Sequence, residues 1–248
     1  MKALILAAGY ATRLRPLTDS IPKQLLPVGC RPMVDWILDG IAETSAEEVH
    51  LVTNARFAED FERWAHDKNV RIHNDGTNSN EDRLGAIGDI RFVGLDDDLL
   101  VVAGDNLFDY SLADYERFWR ARDGSCIAVL DIGDRELAKK YGIVEVDEDD
   151  RVVGFMEKPE NPPTTLCATA MYLYERDHLR LIEQYLEDGN PPDQPGNYVA
   201  WLHKLEPVYA YRFGGRWYDI GDANQLLEAD NRMRRRRGLP ERTEYSPS

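Results

Sequence analysis

The sequence predicts an α/β protein, built as a three-layer α/β/α arrangement around a mixed, mostly parallel central sheet. Three observations carry that expectation. The first half alternates short, wholly apolar runs with segments of helical period, and strands apolar on both faces belong to parallel sheets covered on both sides. The second half sets its strands closer together, with an acidic turn at 148–150 that joins two of them antiparallel. At 248 residues and 43% hydrophobic, the chain is long enough to bury a full core.

Taken in order, "ALILA" (3–7) reads as a buried first strand. "PMVDWILDGIAE" (32–43) reads as a helix with proline at its start and Val34, Ile37, Leu38 and Ile41 on one face. "VHLVT" (49–53) is a second strand, and 57–67 a helix that shows Phe57, Phe61 and Trp64 to the core. Strands follow at 70–74 and 99–105, with a helix over 112–122. Beyond it, strands are expected at 126–132, 141–147, 151–158, 168–175 and 208–213, and helices at 176–187, 197–206 and 222–237. This is a Rossmann-like half, about 1–125, followed by a mixed-sheet half, about 126–238. Together they are expected to make one domain, with 239–248 as a polar tail. In open α/β sheets ligands sit at the carboxyl ends of the strands, and the loop after the first strand lies at such an end.

Charge and cysteine content narrow the function. There are 45 acidic residues against 30 basic ones, a formal charge of −15. That argues against a nucleic-acid partner, whose backbone is gripped by Lys and Arg. It leaves room for a small phosphorylated ligand in a local positive pocket. Cys30, Cys126 and Cys167 are widely spaced, with neither a disulfide framework nor a zinc spacing, so a cytoplasmic setting is expected. No stretch approaches the roughly 20 apolar residues that span a bilayer, and Arg13 and Arg15 stand where a signal peptide would need small neutral residues. Association with further copies of the chain is left open.

Against this acidic background, "AAGYATRLRPLTDSIPK" (7–23) gathers Arg13, Arg15 and Lys23 around a single carboxylate, Asp19. Gly9 follows the strand where the backbone needs positive φ or a close approach to a ligand. Backbone N–H groups in such a turn cradle phosphate oxygens, and Arg13 and Lys23 would neutralise them. On the glycine alone, a solvated surface loop with salt-bridging arginines is the simpler account.

The wider pattern adds to that loop. "LILAAGYATRLRPLTDSIPKQLLPV" resembles the N-terminal signature of the sugar-1-phosphate nucleotidyltransferases, with Gly9, Thr12, Arg13, Leu14, Pro16, Thr18, Pro22 and Lys23 in register. It departs at Ala11, where that family usually carries a second glycine. "VVAGDN" (101–106), "YGIVE" (141–145), "FMEKP" (155–159) and "WYDIGD" (217–222) resemble further family elements, in the family's order.

The resemblance implies a Mg²⁺-dependent enzyme that joins an NTP to a sugar 1-phosphate, on the pattern of the glucose-1-phosphate thymidylyltransferases. It implies nucleotide contacts from Leu6, Ala8, Gly9, Thr12, Arg13, Gly85 and Asp105. Sugar-phosphate contacts would come from Asn106, Gly142, Glu157, Lys158 and Thr169. Arg13, Lys23 and Lys158 would be catalytic, with Asp105 and Asp219 as the metal ligands. Read without it, Asp105 is a turn residue beside Asn106, Asp219 a helix N-terminal acid, Lys158 a solvated strand end, and Glu157 its ion-pair partner. Alternatives within the fold are a cytidylyltransferase acting on phosphocholine or a phosphonate, and a non-catalytic nucleotide-sensing subunit. A glycosyltransferase is a third option, which the T-R-L…P-K loop disfavours.

Three segments stay open. In 74–89, Gly85 and Gly88 match the family's glycine spacing where the nucleobase is read, while Ala86, Ile87 and Asp89 do not match. "PPDQPGNYVAWL" (191–202) is either a turn capping a helix through Asn197 or a substrate loop. The run "RMRRRRG" (232–238) suits a helix C-terminus through its dipole, with an anionic effector as the sharper alternative. With only a few polar residues after it, the C-terminal β-helix of some relatives is not expected here.

Overall fold

The structure, a computed structural model, describes residues 1–247. The first half runs β1 (Lys2–Leu6), β2 (Pro27–Val28), β3 (Arg31–Pro32), α1 (Met33–Ile41), β4 (Glu48–Thr53), α2 (Ala58–Ala65) and β5 (Val70–Asn74). It continues through α3 (Ala86–Val93), β6 (Leu99–Ala103), β7 (Asn106–Phe108) and α4 (Leu112–Arg120). The second half is β8 (Ser125–Asp131), α5 (Arg135–Ala138), β9 (Gly142–Val146), β10 (Val152–Glu157), β11 (Leu166–Tyr174), α6 (Arg176–Glu187) and α7 (Pro195–Leu202). It ends with β12 (Val208–Arg212), β13 (Trp217–Asp219) and α8 (Ala223–Arg236).

The described residues form a nine-stranded mixed sheet in the order β10-β9-β11-β6-β1-β4-β5, with β8 paired to β11 and β12 to β8. β1 lies parallel between β4 and β6, and β4 is parallel to β5. β11 joins β6 antiparallel, and β9–β10 form an antiparallel hairpin. Its turn is the acidic one expected: Asp147 Oδ1 accepts from the backbone N–H groups of Asp149 at 3.0 Å and Arg151 at 2.9 Å.

Successive residues of a strand point to opposite faces, so a wholly apolar strand feeds two cores. Ala3 and Ile5 of β1 pack with Val34 and Ile37 of α1, Phe61 of α2 and Tyr115 of α4. Leu4 packs on the other face with Ile87 of α3, Ile182 of α6 and Tyr198 of α7. These are the three layers expected. A third cluster joins Leu14, Leu26 and Val28 of the opening loop and β2 to Leu226, Ala229 and Met233 of α8. That cluster pins the loop above the carboxyl end of β1. No helix among the described residues is long and apolar enough to cross a membrane.

The arginine run at the end of α8 is used within the chain. Arg234 is 8% exposed and donates to the Pro240 carbonyl at 2.6 Å; Arg232 pairs with Asp109 at 3.4 Å and Arg235 with Glu241 at 2.9 Å. Arg237 donates to the Gly29 carbonyl. These contacts give the run a structural account without an effector.

Candidate functional site

The loop after β1 winds through three short 3₁₀ turns, at 12–14, 17–19 and 23–25. Ala11 stands before the first in the left-handed region, φ 46° and ψ 41°, and its carbonyl accepts from Thr18 Oγ1 at 2.9 Å. The second glycine of the resembling loop thus falls where an L-residue is strained. Gly9 corrects its own expectation in part: its φ is not positive, and an added Cβ would meet nothing within 4 Å. Its lack of a side chain leaves open space at the cavity instead of serving a turn. Arg15 is a solvated neighbour, paired with Asp19 at 3.3 Å.

Lys23 passes beneath the cavity floor. It is 7% exposed, and its Nζ donates to Asp105 Oδ2 at 2.8 Å. Asp105 follows β6, and the Gly104 N–H donates to the Leu6 carbonyl at 2.9 Å, which seats the turn against β1. The antiparallel pair β7–β13 then brings a distant segment alongside, with Asp219 opposite Asn106 and the Ile220 N–H on the Asp105 carbonyl at 3.2 Å. Asp219 is therefore a strand residue and no helix-capping acid; the cap of α8 is Asp222, whose Oδ1 accepts from the Gln225 N–H at 2.9 Å. Asn106 is buried, donates to Asp105 Oδ1 at 2.7 Å and accepts from Trp217 Nε1.

The two carboxyls titrate in opposite directions. Burial raises Asp105, but the Lys23 ammonium and its hydrogen bond outweigh that and hold it below the usual carboxylate range. Asp219 is pushed up, first by burial and then by the charge of Asp105, against the pull of Lys23, Arg13 and Lys158. The Arg13 guanidinium lies beside Gly221, two residues further on.

β9 and β10 build the opposite side. Lys158, at the end of β10, has φ +46° and is held there by its N–H on the Tyr141 carbonyl at 3.0 Å. Its Nζ is 3.7 Å from Glu157 Oε1. Burial raises the Glu157 carboxyl against the pull of Lys158. Gly142 and Gly196 allow this side chain its place: a Cβ on either would stand 2.6 Å from the Phe155 ring, and 3.0 or 2.9 Å from Glu157 Oε2. Thr169 is not at this surface. Ala168, Ala170 and Tyr172 of β11 face the cavity, so the intervening Thr169 points away. Its buried hydroxyl donates to the Ala128 carbonyl at 3.0 Å.

The remaining wall is α3 and the segment before α7. Gly85 has φ +80°, and a Cβ there would meet the Pro192 carbonyl at 2.6 Å. The Ala86 and Ile87 N–H groups, unpaired at the helix start, donate to the Asp193 and Pro192 carbonyls at 3.1 and 2.9 Å. Arg83 closes the junction with two bonds to Asp193, at 2.9 and 2.7 Å. α7 begins at Pro195, so Asn197 lies inside the helix and does not cap it; proline at the first helical position is the stronger start signal. Segment 191–194 thus caps α3 and lines the cavity at once. Sequence reading missed Gln24, Arg83, Asp89, Tyr141, Gly196 and Trp217 as lining residues. All six lay inside segments already singled out, but none of them was named as a contact.

Together these elements enclose a cavity of about 920 Å³ at the carboxyl ends of β1 and β6. Leu6, Ala8, Gly9, Arg13, Gly85, Asp105, Asn106, Gly142, Glu157, Lys158 and Asp219 line it. Lys23 reaches it through Asp105, while Thr12 is exposed on the loop and Thr169 faces away. The described residues hold no group of three or more His, Cys, Asp or Glu side chains placed to bind a metal. Asp105 and Asp219 are a pair of hard carboxylates, and the Lys23 ammonium acts on both. Mg²⁺, which takes one or two carboxylates and completes its shell with water and phosphate oxygens, fits that donor set.

Residues 2–236 match the family profile described as nucleotidyl transferase. The bifunctional protein GlmU of Methanocaldococcus jannaschii is 26% identical over 93% of this chain and 53% of its own length. A UTP–glucose-1-phosphate uridylyltransferase of Synechocystis sp. is 27% identical over 92% of this chain and 62% of its own. The chain thus spans little more than half the length of these relatives. Among solved structures, a UDP-glucose pyrophosphorylase from Acinetobacter baumanii superimposes with a TM-score of 0.75 at 22% identity, over 94% of this chain and 92% of that one.

Proposed function

Because the chain belongs to the nucleotidyl transferase family, we propose that it joins an NTP to a sugar 1-phosphate, giving an NDP-sugar and pyrophosphate. The observation that carries this reading is the convergence on Asp219: the charges of Asp105, Lys23, Arg13 and Lys158 all act on that one carboxyl. Five residues from four separate segments act together where two anions would have to be brought together. The reading takes residues 1–238 as one unit, with the nucleotide on the first half and the sugar phosphate on the second.

In the reaction, a phosphate oxygen of the sugar 1-phosphate attacks the α-phosphorus of the NTP. A new P–O bond forms as the bond to the β-phosphate breaks, and pyrophosphate leaves with that electron pair. The attacking phosphate, with a second pKa near ~6, is largely ionised at neutral pH and needs no strong general base. Positioning and charge compensation therefore supply the catalysis. Arg13 and the loop N–H groups hold the triphosphate, and Lys23 keeps Asp105 charged and in place. Lys158 binds the sugar phosphate, and the backbone strain at its φ of +46° is what a side chain held for function shows. Glu157, half enclosed between Gly142 and Gly196, accepts from sugar hydroxyls. Asp105 and Asp219 would hold Mg²⁺, which supplies charge neutralisation at the phosphates when bound.

The short glucose-1-phosphate thymidylyltransferases supply the pattern for the sugar side, and the Glu157–Lys158 pair favours a sugar phosphate over phosphocholine. Pyrophosphate release measured across NTP and sugar 1-phosphate pairs tests the reading. Turnover only with CTP and phosphocholine would sink it. D105N should abolish release while leaving the circular dichroism spectrum unchanged; retained turnover would remove the metal assignment.

A further inference from the structure

Three acceptors near the β1 side of the cavity lack donors. Gln24, 5% exposed, has a buried Oε1 with no hydrogen-bond partner. Asp89, in the first turn of α3 and 6% exposed, leaves Oδ1 unpartnered, and so does Asp75 at its Oδ2, just after β5. These two carboxyls lie within hydrogen-bonding reach of each other. One proton shared by the Asp89 and Asp75 carboxyls would satisfy both, where two bare carboxylates would repel. Asp75 is itself fixed: its Oδ1 accepts from the Thr77 N–H at 2.7 Å and the Thr77 hydroxyl at 2.8 Å. Thr77 Oγ1 in turn is 3.1 Å from the Tyr10 hydroxyl of the opening loop. Burial first, then the neighbouring Asp75, pushes the Asp89 carboxyl up to about 8. Asp89 lines the cavity, and Oδ2 is the oxygen left for a ligand to meet there.

Sheet order says what meets that oxygen. β1, β4 and β5 lie on one side of β6, and β11, β9 and β10 on the other. The phosphate loop leaves β1, while Glu157 and Lys158 end β10. A triphosphate on the loop, with its α-phosphorus turned toward Lys158, sends its base to the α3 wall. On the nucleotidyltransferase reading above, we propose that Asp89, locked to Asp75, selects the base: its one free oxygen accepts a hydrogen bond from an exocyclic amino group, so NTPs with an amino-bearing base (cytosine, adenine or guanine) are preferred over those with uracil or thymine. A single neutral acceptor suits an amino group, as carboxyl side chains suit cytosine N4. The only ring donor of uracil and thymine, N3–H, is flanked by two carbonyl oxygens that repel an approaching acceptor.

The test is calorimetric binding of CTP, ATP, GTP, UTP and dTTP to the full chain with Mg²⁺, beside pyrophosphate release. The tightest amino-bearing NTP should bind about tenfold better than UTP and dTTP, the worth of one hydrogen bond. D89L, similar in volume and without an acceptor, should bring the ratio within about threefold. D89N, whose amide donates to Asp75 and keeps its carbonyl toward the cavity, should retain the preference. D75N, which donates to Asp89 and lets it ionise, should widen it, an effect that loss of packing would not produce. UTP or dTTP binding as tightly as every amino-bearing NTP, or a ratio unchanged in D89L, overturns the proposal. Absence of pyrophosphate with every NTP strikes the nucleotidyltransferase reading instead, and the binding ratios still decide the base.

Discussion

The two walls of the cavity neutralise their carboxyls by different means. On the loop wall Asp105 is met by the Lys23 ammonium at 2.8 Å and stays charged. On the α3 wall Asp89 has only another carboxyl, Asp75, and a proton takes the place of the lysine. A lysine preserves a full negative charge for a cation to meet, whereas a shared proton leaves a neutral surface. The first arrangement suits phosphates and metal, and the second an uncharged ring.

The largest way to break this contrast is K23M. Without the ammonium, only Arg13 and Lys158 offset the repulsion between Asp105 and Asp219, and Asp105 loses its hydrogen bond to Lys23. Pyrophosphate release should fall by about 10³-fold or more, as removal of a preorganised charge at a phosphoryl site does. A variant that folds and turns over within tenfold of the parent would show that Lys23 is structural only.

D89N sharpens the contrast through pH. Asp89 has its folded pKa raised to about 8, above an unfolded value of about 3.9. Its contribution to stability is fully present below about pH 4 and is lost as pH rises toward 8. Asp105 has the opposite sign: its folded pKa is lowered, so its contribution is present above the unfolded value and lost as pH falls through the folded one. D89N removes the first slope and keeps the second. In thermal melts from pH 5 to 8.5, the variant's stability relative to the parent should therefore climb with pH. A constant offset would mean that Asp89 carries no shared proton.

These walls also differ in how far the sequence disclosed them. The loop wall was legible because its strand is apolar throughout and its cations stand in one short run; only the pairing of Lys23 with Asp105, far apart in the chain, needed the structure. β7 and β13 have three residues each and exist by pairing with one another across a long separation. No local period can announce such strands, and without them Asp219 looked like a helix cap. Thr169 was a misjudged face, since one-residue alternation along β11 sends its neighbours into the cavity and itself away. The α3 wall was hidden because its helix starts at a glycine held by a loop about a hundred residues onward, through contacts of Gly85 with Pro192 and Asp193. Asp89, whose burial comes from that packing, carried no signal of its own.

The smallest test falls at the one position where the legible wall departs from its pattern. Ala11 holds φ 46° and ψ 41°, a conformation that costs an L-residue roughly 1–2 kcal/mol and glycine almost nothing. Glycine gives back part of that gain by its freedom in the unfolded chain. The net for A11G should be a stabilisation of about 0.5–1 kcal/mol, or about 1–4 °C in Tm for a chain of this size. The Thr18 hydroxyl bond to the Ala11 carbonyl involves only backbone at residue 11 and survives the change. If the loop is preorganised for phosphate, its geometry is unaltered, and the KM for NTP should stay within about twofold while Tm rises. A fall in Tm would mean that the methyl group packs where the backbone strain says it should only hinder; a rise in KM would mean that Ala11 was holding the loop stiff, and that the phosphate wall depends on rigidity as well as charge.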